Sequence, residues 1–363
     1  MNIPDKALKY ASEQCREMLD RHAISSDATM YDALVALNAL SGSSLTLFAL
    51  DGEGKFVGPL TDGDIRRALI GGAKSDDSVM RAVNQQFLAL TDSDDPFDIF
   101  SKAKARHIRM LPHLREGFIC EIHDLKSIKA LLPLDAVLMA GGRGERLRPL
   151  TLERPKPLLP VGGKAIIDYN VEELADNGIR NIFVTVNYLK EQIIMHFAEK
   201  KTSARIECVA EPKRMGTIGS LSLVAPQLTH DNILLMNSDL LTTLDYASLY
   251  RHHIETGADV TIAAVPYIVS VPYAIMHTDG PFITGLEEKP TFNYFANGGV
   301  YILRRELIER IRPDEYLDAP DFIDSLLADG KRVAYFPIEG IWIDVGSPDD
   351  YKYADNLMSR KGK

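Results

Sequence analysis

Apolar residues recur at helical spacing in MYDALVALNA, residues 30 to 39. Two short β-rich runs, SLTLFAL and KFVGPL, then flank the turn DGEG before DIRRALIGG starts another helix. The unit reads helix, strand, strand, helix. A fainter copy follows, with DIFSKAKA (98 to 105) in the first helical position, HIRMLPHL and GFICEI as strands, and DLKSIKALL as the closing helix. Tandem units of this kind stack, because each alone leaves one apolar sheet face open. Beyond Pro133 the pattern changes. The predicted strands DAVLMA, NIFVTVN, RIECVA and NILLMN alternate with the helical segments IIDYNVEELADNG, KEQIIMHFAEK and TIGSLSLVAPQL. That alternation predicts a mostly parallel sheet with helices on both faces. From ADVTIAAVPY (258 to 267) onward, the shorter runs YAIMHT, FITGLEE and GGVYIL predict a mixed edge. The predicted organisation is an α+β module over residues 1–130 and an α/β domain over 134–363, joined near ALLPL.

Composition narrows the partners. A chain of 363 residues exceeds one ordinary core, and 45% hydrophobic with 25% charged residues is the balance of a globular protein. The net charge of -10 argues against nucleic acid or an anionic membrane surface as partner, so any anion must be held locally. No apolar run approaches the ~18 residues of a membrane span, and MNIPDKALKY lacks the basic start of a leader; a cytoplasmic protein is expected. Cys15, Cys120 and Cys208 are odd in number and form no CxxC, which predicts reduced thiols.

One stretch runs against the overall charge. MAGGRGERLRPLTLERPKPLLPVGG, residues 139 to 163, follows a predicted buried strand, where open parallel sheets place their ligands. No GxxxxGK[ST] can be laid on it, and Leu147 occupies the third glycine position of a dinucleotide fingerprint. What remains is a glycine turn followed by Arg143, Arg146, Arg148, Arg154 and Lys156 on a segment stiffened by four prolines. A solvated basic loop needs only charge, whereas guanidinium forks match phosphate oxygens in geometry as well.

This stretch closely resembles the signature GGxGxRLxPLTxxxPKPxxPV of the sugar-1-phosphate nucleotidyltransferases, and the resemblance extends over residues 135 to 355. It implies a Rossmann-like (GT-A-like) mixed, mostly parallel sheet sandwiched by helices. It also implies that Arg146 holds the triphosphate of an NTP and that Lys156 meets the phosphoryl group under attack, the two catalytic candidates. Met139, Ala140, Gly141, Gly142 and Gly144 would face the nucleotide, joined by Glu211, Gly216 and Thr217 in EPKRMGTIGSL. Glu288 and Lys289 in LEEKP and Asn297 in ANGGVYIL would hold the sugar phosphate. Glu145 departs from the usual threonine or serine.

The reaction so implied needs a divalent ion, Mg2+ or Mn2+, to offset repulsion between two phosphate-rich reactants. LLMNSDL places Asp239 at the end of a buried strand, and IWIDVGSPDDY places Asp344 in a second strand-to-turn position. Read alone, each is an ordinary cap or turn aspartate; the resemblance makes them the metal ligands. Ser238 stands where glycine is usual. The sugar phosphate oxygen is already an anion and needs no general base, so His196, His252 and His253 are expected to face solvent.

The N-terminal VGPLTDGDIRRAL (57 to 69) resembles the cystathionine-beta-synthase-type, or CBS, regulatory pair. The resemblance implies that Thr61 and Asp64 grip an adenine nucleotide and that the pair favours a homo-oligomer. In the second copy the matching tetrad is Glu121, Ile122, His123, Asp124, whose carboxylate would repel a phosphate. The whole run most resembles bacterial guanylyltransferases acting on mannose-like or glucosamine-like 1-phosphates for surface glycans, with GTP ranked first and pyrophosphate released. A phosphocholine cytidylyltransferase and a thymidylyl- or uridylyltransferase share the loop, and a catalytically inactive nucleotide-sensing protein is the rival from another class.

Overall fold

A computed structural model of the chain describes residues 5–40, 44–200 and 202–361, so the first four residues of the N-terminal decapeptide lie outside the described residues. Two compact units divide it, Met1–Leu131 and Leu132–Lys363. Among the described residues no helix is long and apolar enough to cross a membrane.

The first unit comprises α1 (Glu13–His22), β1 (Ala23–Ser25), α2 (Met30–Ala39), β2 (Thr46–Leu50), β3 (Phe56–Thr61), α3 (Asp62–Ile70), β4 (Leu90–Thr91), α4 (Pro96–Ala105), β5 (Met110–Arg115) and β6 (Phe118–Asp124). β2 pairs parallel with β1 and antiparallel with β3. β5 repeats that arrangement between β4 and β6. The internal repeat is therefore real, although each copy opens on a strand too short to show alternation. Thr29 and Thr61 start α2 and α3 through capping boxes with Asp32 and Asp64. Phe48, Leu50 and Phe56 of one sheet share a buried cluster with Met110, Ile119 and Ile122 of the other, so the two copies stack.

The predicted closing helix of the second copy does not form. After β6 the chain turns, with Ser127 Oγ donating to Asp124 O and Leu125 N to Arg109 O. DLKSIKALL runs straight into Pro133, which disfavours helical backbone at the residue ahead of it.

In the second unit a seven-stranded sheet runs β11-β10-β7-β12-β17-β14-β18. Its strands are β7 (Leu134–Ala140), β10 (Asn181–Val186), β11 (Arg205–Ala210), β12 (Asn232–Asn237), β14 (Val260–Ser270), β17 (Thr291–Arg304) and β18 (Val333–Pro337). Between them lie the paired short strands β8 (Pro160–Val161) and β9 (Lys164–Ala165), the hairpin β15 (Ile275–Asp279) and β16 (Phe282–Glu287), and β13 (Leu240–Thr242) with β19 (Trp342–Asp344). The helices are α5 (Ile166–Asp176), α6 (Lys190–Glu199), α7 (Leu221–Val224), α8 (Tyr246–Thr256), α9 (Ala319–Ala328) and α10 (Pro348–Lys361). Only β17 runs against its neighbours. The central strands β7 and β12 are buried on both faces, which is why they read as unbroken apolar runs.

Two expectations need correction here. TIGSLSLVAPQL carries only the four residues of α7, followed by a tight turn over Ala225–Gln227. Pro226 disrupts the helical ladder, and Gly219 lies so close to Glu315 O that an added Cβ would stand 2.6 Å from it. The histidines do not all face solvent. His253 is buried, with Nδ1 2.8 Å from Thr261 Oγ1 and Nε2 3.1 Å from Asn232 Oδ1. Burial pushes its pKa down to about 4, so the neutral ring can donate to Asn232 and accept from the threonine hydroxyl. His196 is half-buried, Nε2 2.7 Å from Asp168 Oδ1.

Asp135 opens β7 as a fully buried carboxylate. It accepts from His230 N at 2.9 Å, Asn181 Nδ2 at 2.8 Å and Thr229 N at 2.5 Å, and it faces His230 Nδ1 at 2.9 Å. Burial by itself would raise its pKa, but these hydrogen bonds outweigh burial and hold it well below the usual carboxylate range. The ionised form is therefore favoured by folding. Its stabilisation is complete above the ordinary aspartate value of about 3.9 and is lost as pH falls through the lower folded value. Asp135→Asn should cost about 3 kcal/mol at pH 7, read by urea denaturation, and should flatten the acid side of the stability profile.

Candidate active site

β7 lies between β10 and β12, and the chain continues from β7 to β10 and β11 on one side before returning to β12 on the other. The crevice beyond the carboxyl ends of β7 and β12 is thus the point where strand order reverses, the place that open α/β sheets reserve for ligands. The basic loop leaves β7 there, and Asp239 follows β12 two residues after its end. A cavity of about 670 Å³ opens at this point. Its charged lining is Arg143, Arg146, Lys156, Lys213 and Arg214 against Glu145 and Asp239, a cationic pocket in an acidic chain.

Local packing explains why the loop holds its shape. Gly144 has φ +60, and Thr151 Oγ1 donates to its carbonyl at 2.8 Å, so a left-handed turn is clamped from across the loop. Gly141 lies against Glu211; a Cβ there would be 2.7 Å from Glu211 Oε1. Burial pushes the Glu211 carboxyl up, partly offset by the backbone N–H of Met215 and the charge of Arg214. Ser238, the departure from glycine, is buried and donates from Oγ to Met139 O at 2.7 Å. It ties β12 to β7 immediately before Asp239. Glu145 lies within 4.0 Å of Arg143 and 3.9 Å of Arg148, exposed pairs that leave both cations available.

Lys156 is the buried cation of the loop. Its Nζ donates to Asp239 Oδ2 and lies 3.4 Å from Asp344 Oδ1. The two aspartates meet because β13 and β19 pair antiparallel, with Leu240 opposite Asp344 and Val345 N donating to Asp239 O at 3.2 Å. Arg146 closes the other side, since a Cβ on Gly346 would stand 2.9 Å from Arg146 Nη2 and 3.3 Å from Asp344 Oδ2. Burial and the neighbouring charge of Asp239 raise the Asp344 pKa, while Lys156 and Arg146 oppose them. Asp239 Oδ1 is buried with no hydrogen-bond partner among the described residues. Two converging carboxylates, one with an unengaged buried oxygen, fit a hard divalent cation that prefers oxygen ligands.

The chain belongs to the nucleotidyl transferase family. That family's model matches residues 135–360, 226 of the 363 positions. Among relatives, the chain is 33% identical over 227 residues to the mannose-1-phosphate guanyltransferase of Schizosaccharomyces pombe, covering 60% of this chain and 62% of that one. It is 31% identical over 226 residues to the mannose-1-phosphate guanylyltransferase of Mycobacterium tuberculosis, with the same two coverages, 60% and 62%. It therefore spans under two thirds of the length of these curated relatives. The crystal structure of HddC from Yersinia pseudotuberculosis superposes with a TM-score of 0.50 at 25% identity, covering 62% of this chain and 99% of HddC. As a member of this family, the protein has a mixed α/β nucleotidyltransferase fold around a mostly parallel sheet.

The remaining candidates are placed unevenly. Met139 and Ala140 end β7 behind the glycine turn. Gly216, with φ +79, packs against Leu317 O, and Thr217 spends its hydroxyl accepting from Ala319 N at 2.8 Å, so this turn anchors α9. Neither is among the residues lining the cavity. Glu288, Lys289 and Asn297 are exposed and also lie outside that lining. Asn297 is nevertheless near, because Gly299 two residues on abuts Asn237 at the end of β12 and Gly298 O accepts from Trp342 Nε1 at 2.9 Å. The cations Lys213 and Arg214 and the residue Asn187 line the cavity without having been singled out from sequence. The adjacent pair in EPKRM was the signal that could have found the two cations.

In the first unit, Thr61 and Asp64 border a separate pocket of about 460 Å³ that also includes Asn84, Phe87, Arg106 and Arg109. Thr61 Oγ1 donates to Asp64 Oδ2 at 2.6 Å. The same hydroxyl-to-carboxylate contact recurs in the capping box of Thr29 and Asp32 and in the turn of Thr91 and Asp94 ahead of α4, so the T-x-x-D spacing by itself reports local structure.

Proposed function

We propose that the protein is a sugar-1-phosphate guanylyltransferase, moving GMP from GTP to a hexose 1-phosphate of the mannose or glucosamine type for glycan precursor synthesis. The observation that carries this reading is the meeting of Lys156, Asp239 and Asp344 beside Arg146 at the switch point of the sheet. Magnesium bound by Asp239 and Asp344 would supply charge neutralisation between the two phosphate-bearing reactants. Arg146, Arg143 and the glycine turn hold the triphosphate, and Lys156 draws electron density from the α-phosphoryl group. A sugar phosphate oxygen attacks the α-phosphorus in line; the new P–O bond forms as the bond to the bridging oxygen breaks, and pyrophosphate leaves with that oxygen. Positioning and charge do most of the work, so no basic side chain is required. Guanine is favoured because the relatives near 30% identity are guanylyltransferases and because the buried Glu211 carboxylate suits the donor-bearing edge of that base. Glu288, Lys289 and Asn297 are assigned to the acceptor.

Pyrophosphate release, measured with each NTP against a panel of sugar 1-phosphates and phosphocholine, tests this directly. GTP with a mannose-type 1-phosphate should give the highest kcat/KM. Turnover on phosphocholine alone would overturn the sugar assignment, and nucleotide binding without any magnesium-dependent turnover would favour the sensing protein.

The pocket bordered by Thr61 and Asp64 supports a second assignment, a CBS-type pair that takes an adenine nucleotide. An anion there meets the N-terminus of α3, with Arg106 and Arg109 in the same lining. Calorimetric titration of the full chain with AMP and ATP should show binding that is weakened in an Asp64→Asn variant; undiminished binding in that variant would remove the assignment.

A further inference from the structure

The degenerate second copy of the first unit carries chemistry that nucleotide binding does not use. His113 on β5 is the direct cross-strand partner of Glu121 on β6, and His123 lies two residues further along β6. Side chains two apart on a strand share a face, so all three stand on one side of the hairpin. One ligand atom from each lies within 4.8 Å of the others. His123 is only 5% exposed, and the rings of His113 and His123 stack with centroids 6.4 Å apart.

We infer that His113, Glu121 and His123 form a binding site for a divalent transition-metal ion. Two imidazoles and one carboxylate select zinc-like, cobalt-like or nickel-like ions over magnesium, which prefers an all-oxygen shell. The surroundings are built for the task. Asp92 Oδ1 lies 3.1 Å from His113 Nε2, and Arg115 grips that carboxylate from Nε at 2.7 Å and Nη2 at 3.0 Å. A carboxylate at one ring nitrogen holds an imidazole in a single orientation and is the recurrent partner of metal-ligating histidines. Because the guanidinium already neutralises Asp92, that role adds no uncompensated charge. The site joins β5 to β6 and, through Asp92, to the end of β4, so an ion there would clamp the second copy where its closing helix is missing. The tetrad 121 to 124 expected to match Thr61–Asp64 lies wholly within β6, whereas Thr61 ends β3 and Asp64 sits in α3, so it is no counterpart of that turn, and Glu121 and His123 have a separate reason in the metal site.

The full-length chain in an Asp239→Asn background, stripped with a chelator and held in excess Mg2+, is titrated with CoCl2 and then ZnCl2. The background change keeps the aspartate pair of the second unit from being counted. One Co2+ per chain should bind with visible ligand-field bands, and Zn2+ should displace it. Asp92→Asn should weaken binding by about 10- to 100-fold, and His123→Ala and Glu121→Gln by more. Glu121 is partly exposed, so its variant keeps the test open should His123→Ala fail to fold. Absence of stoichiometric Co2+ binding, or binding unchanged in Glu121→Gln, overturns the inference.

Discussion

Asp239→Asn should lower magnesium-dependent turnover by about 10³-fold or more while leaving the protein folded. Asparagine keeps the shape and one acceptor oxygen, so Val345 N still donates to the backbone carbonyl of residue 239 and β13 still pairs with β19. What disappears is the charge. The buried Oδ1 has no hydrogen-bond partner among the described residues, so its value to the fold is small and its value to a cation is large. Lys156 retains Asp344 as a counter-ion at 3.4 Å and stays anchored. The expected signature is therefore a collapse of kcat in a pyrophosphate-release assay with an unchanged circular dichroism spectrum and a melting temperature within a few degrees of the parent. Turnover within tenfold of the parent at saturating magnesium would mean that Asp239 does not hold the ion.

The parts of this picture legible from sequence are those written in short-range patterns. β7, β10 and β12 are near-continuous apolar runs because both of their faces are covered, whereas the edge strand β11 carries Arg205 and Glu207, and the glycine and proline content of residues 139 to 163 announces a loop held in a special shape. The chemistry of Asp239 and Asp344 was less accessible, since 105 positions separate them and only the pairing of β13 with β19 makes them neighbours. Misreadings have the same origin. DLKSIKALL has apolar residues at helical intervals, but Pro133 at its end overrides that spacing. His253 looked polar and surface-bound in sequence, yet Thr261 and Asn232, on two different strands, satisfy both of its nitrogens in the core. The Thr61–Asp64 pair shows the converse limit. Its hydrogen bonds are those of the Thr29–Asp32 capping box, and only the pocket beside it distinguishes a ligand site from a helix cap.

Lys156→Ala should lower kcat by about 10²- to 10³-fold and, at the same time, tighten magnesium binding to the enzyme without substrate. The ammonium of Lys156 lies between the two aspartates and neutralises charge that a divalent ion would otherwise meet. Removing it leaves two carboxylates facing each other, and Asp344, already raised by burial and by Asp239, loses the stronger of the two cations that opposed the rise, leaving only Arg146. The metal-free variant is therefore destabilised by repulsion, and magnesium, taking the place of Lys156 between the two carboxylates, restores the difference through linkage. Thermal melts with and without MgCl2 should show a larger magnesium-induced rise in Tm for the variant than for the parent, although the variant turns over far more slowly. A lysine that serves packing alone predicts otherwise: the variant would lose stability equally with and without the ion, and its magnesium affinity would not change. The two aspartates, the lysine and the ion thus compete for one balance of charge. On the proposed reading, the incoming phosphates would shift that balance, drawing Lys156 from the carboxylates toward the α-phosphoryl group.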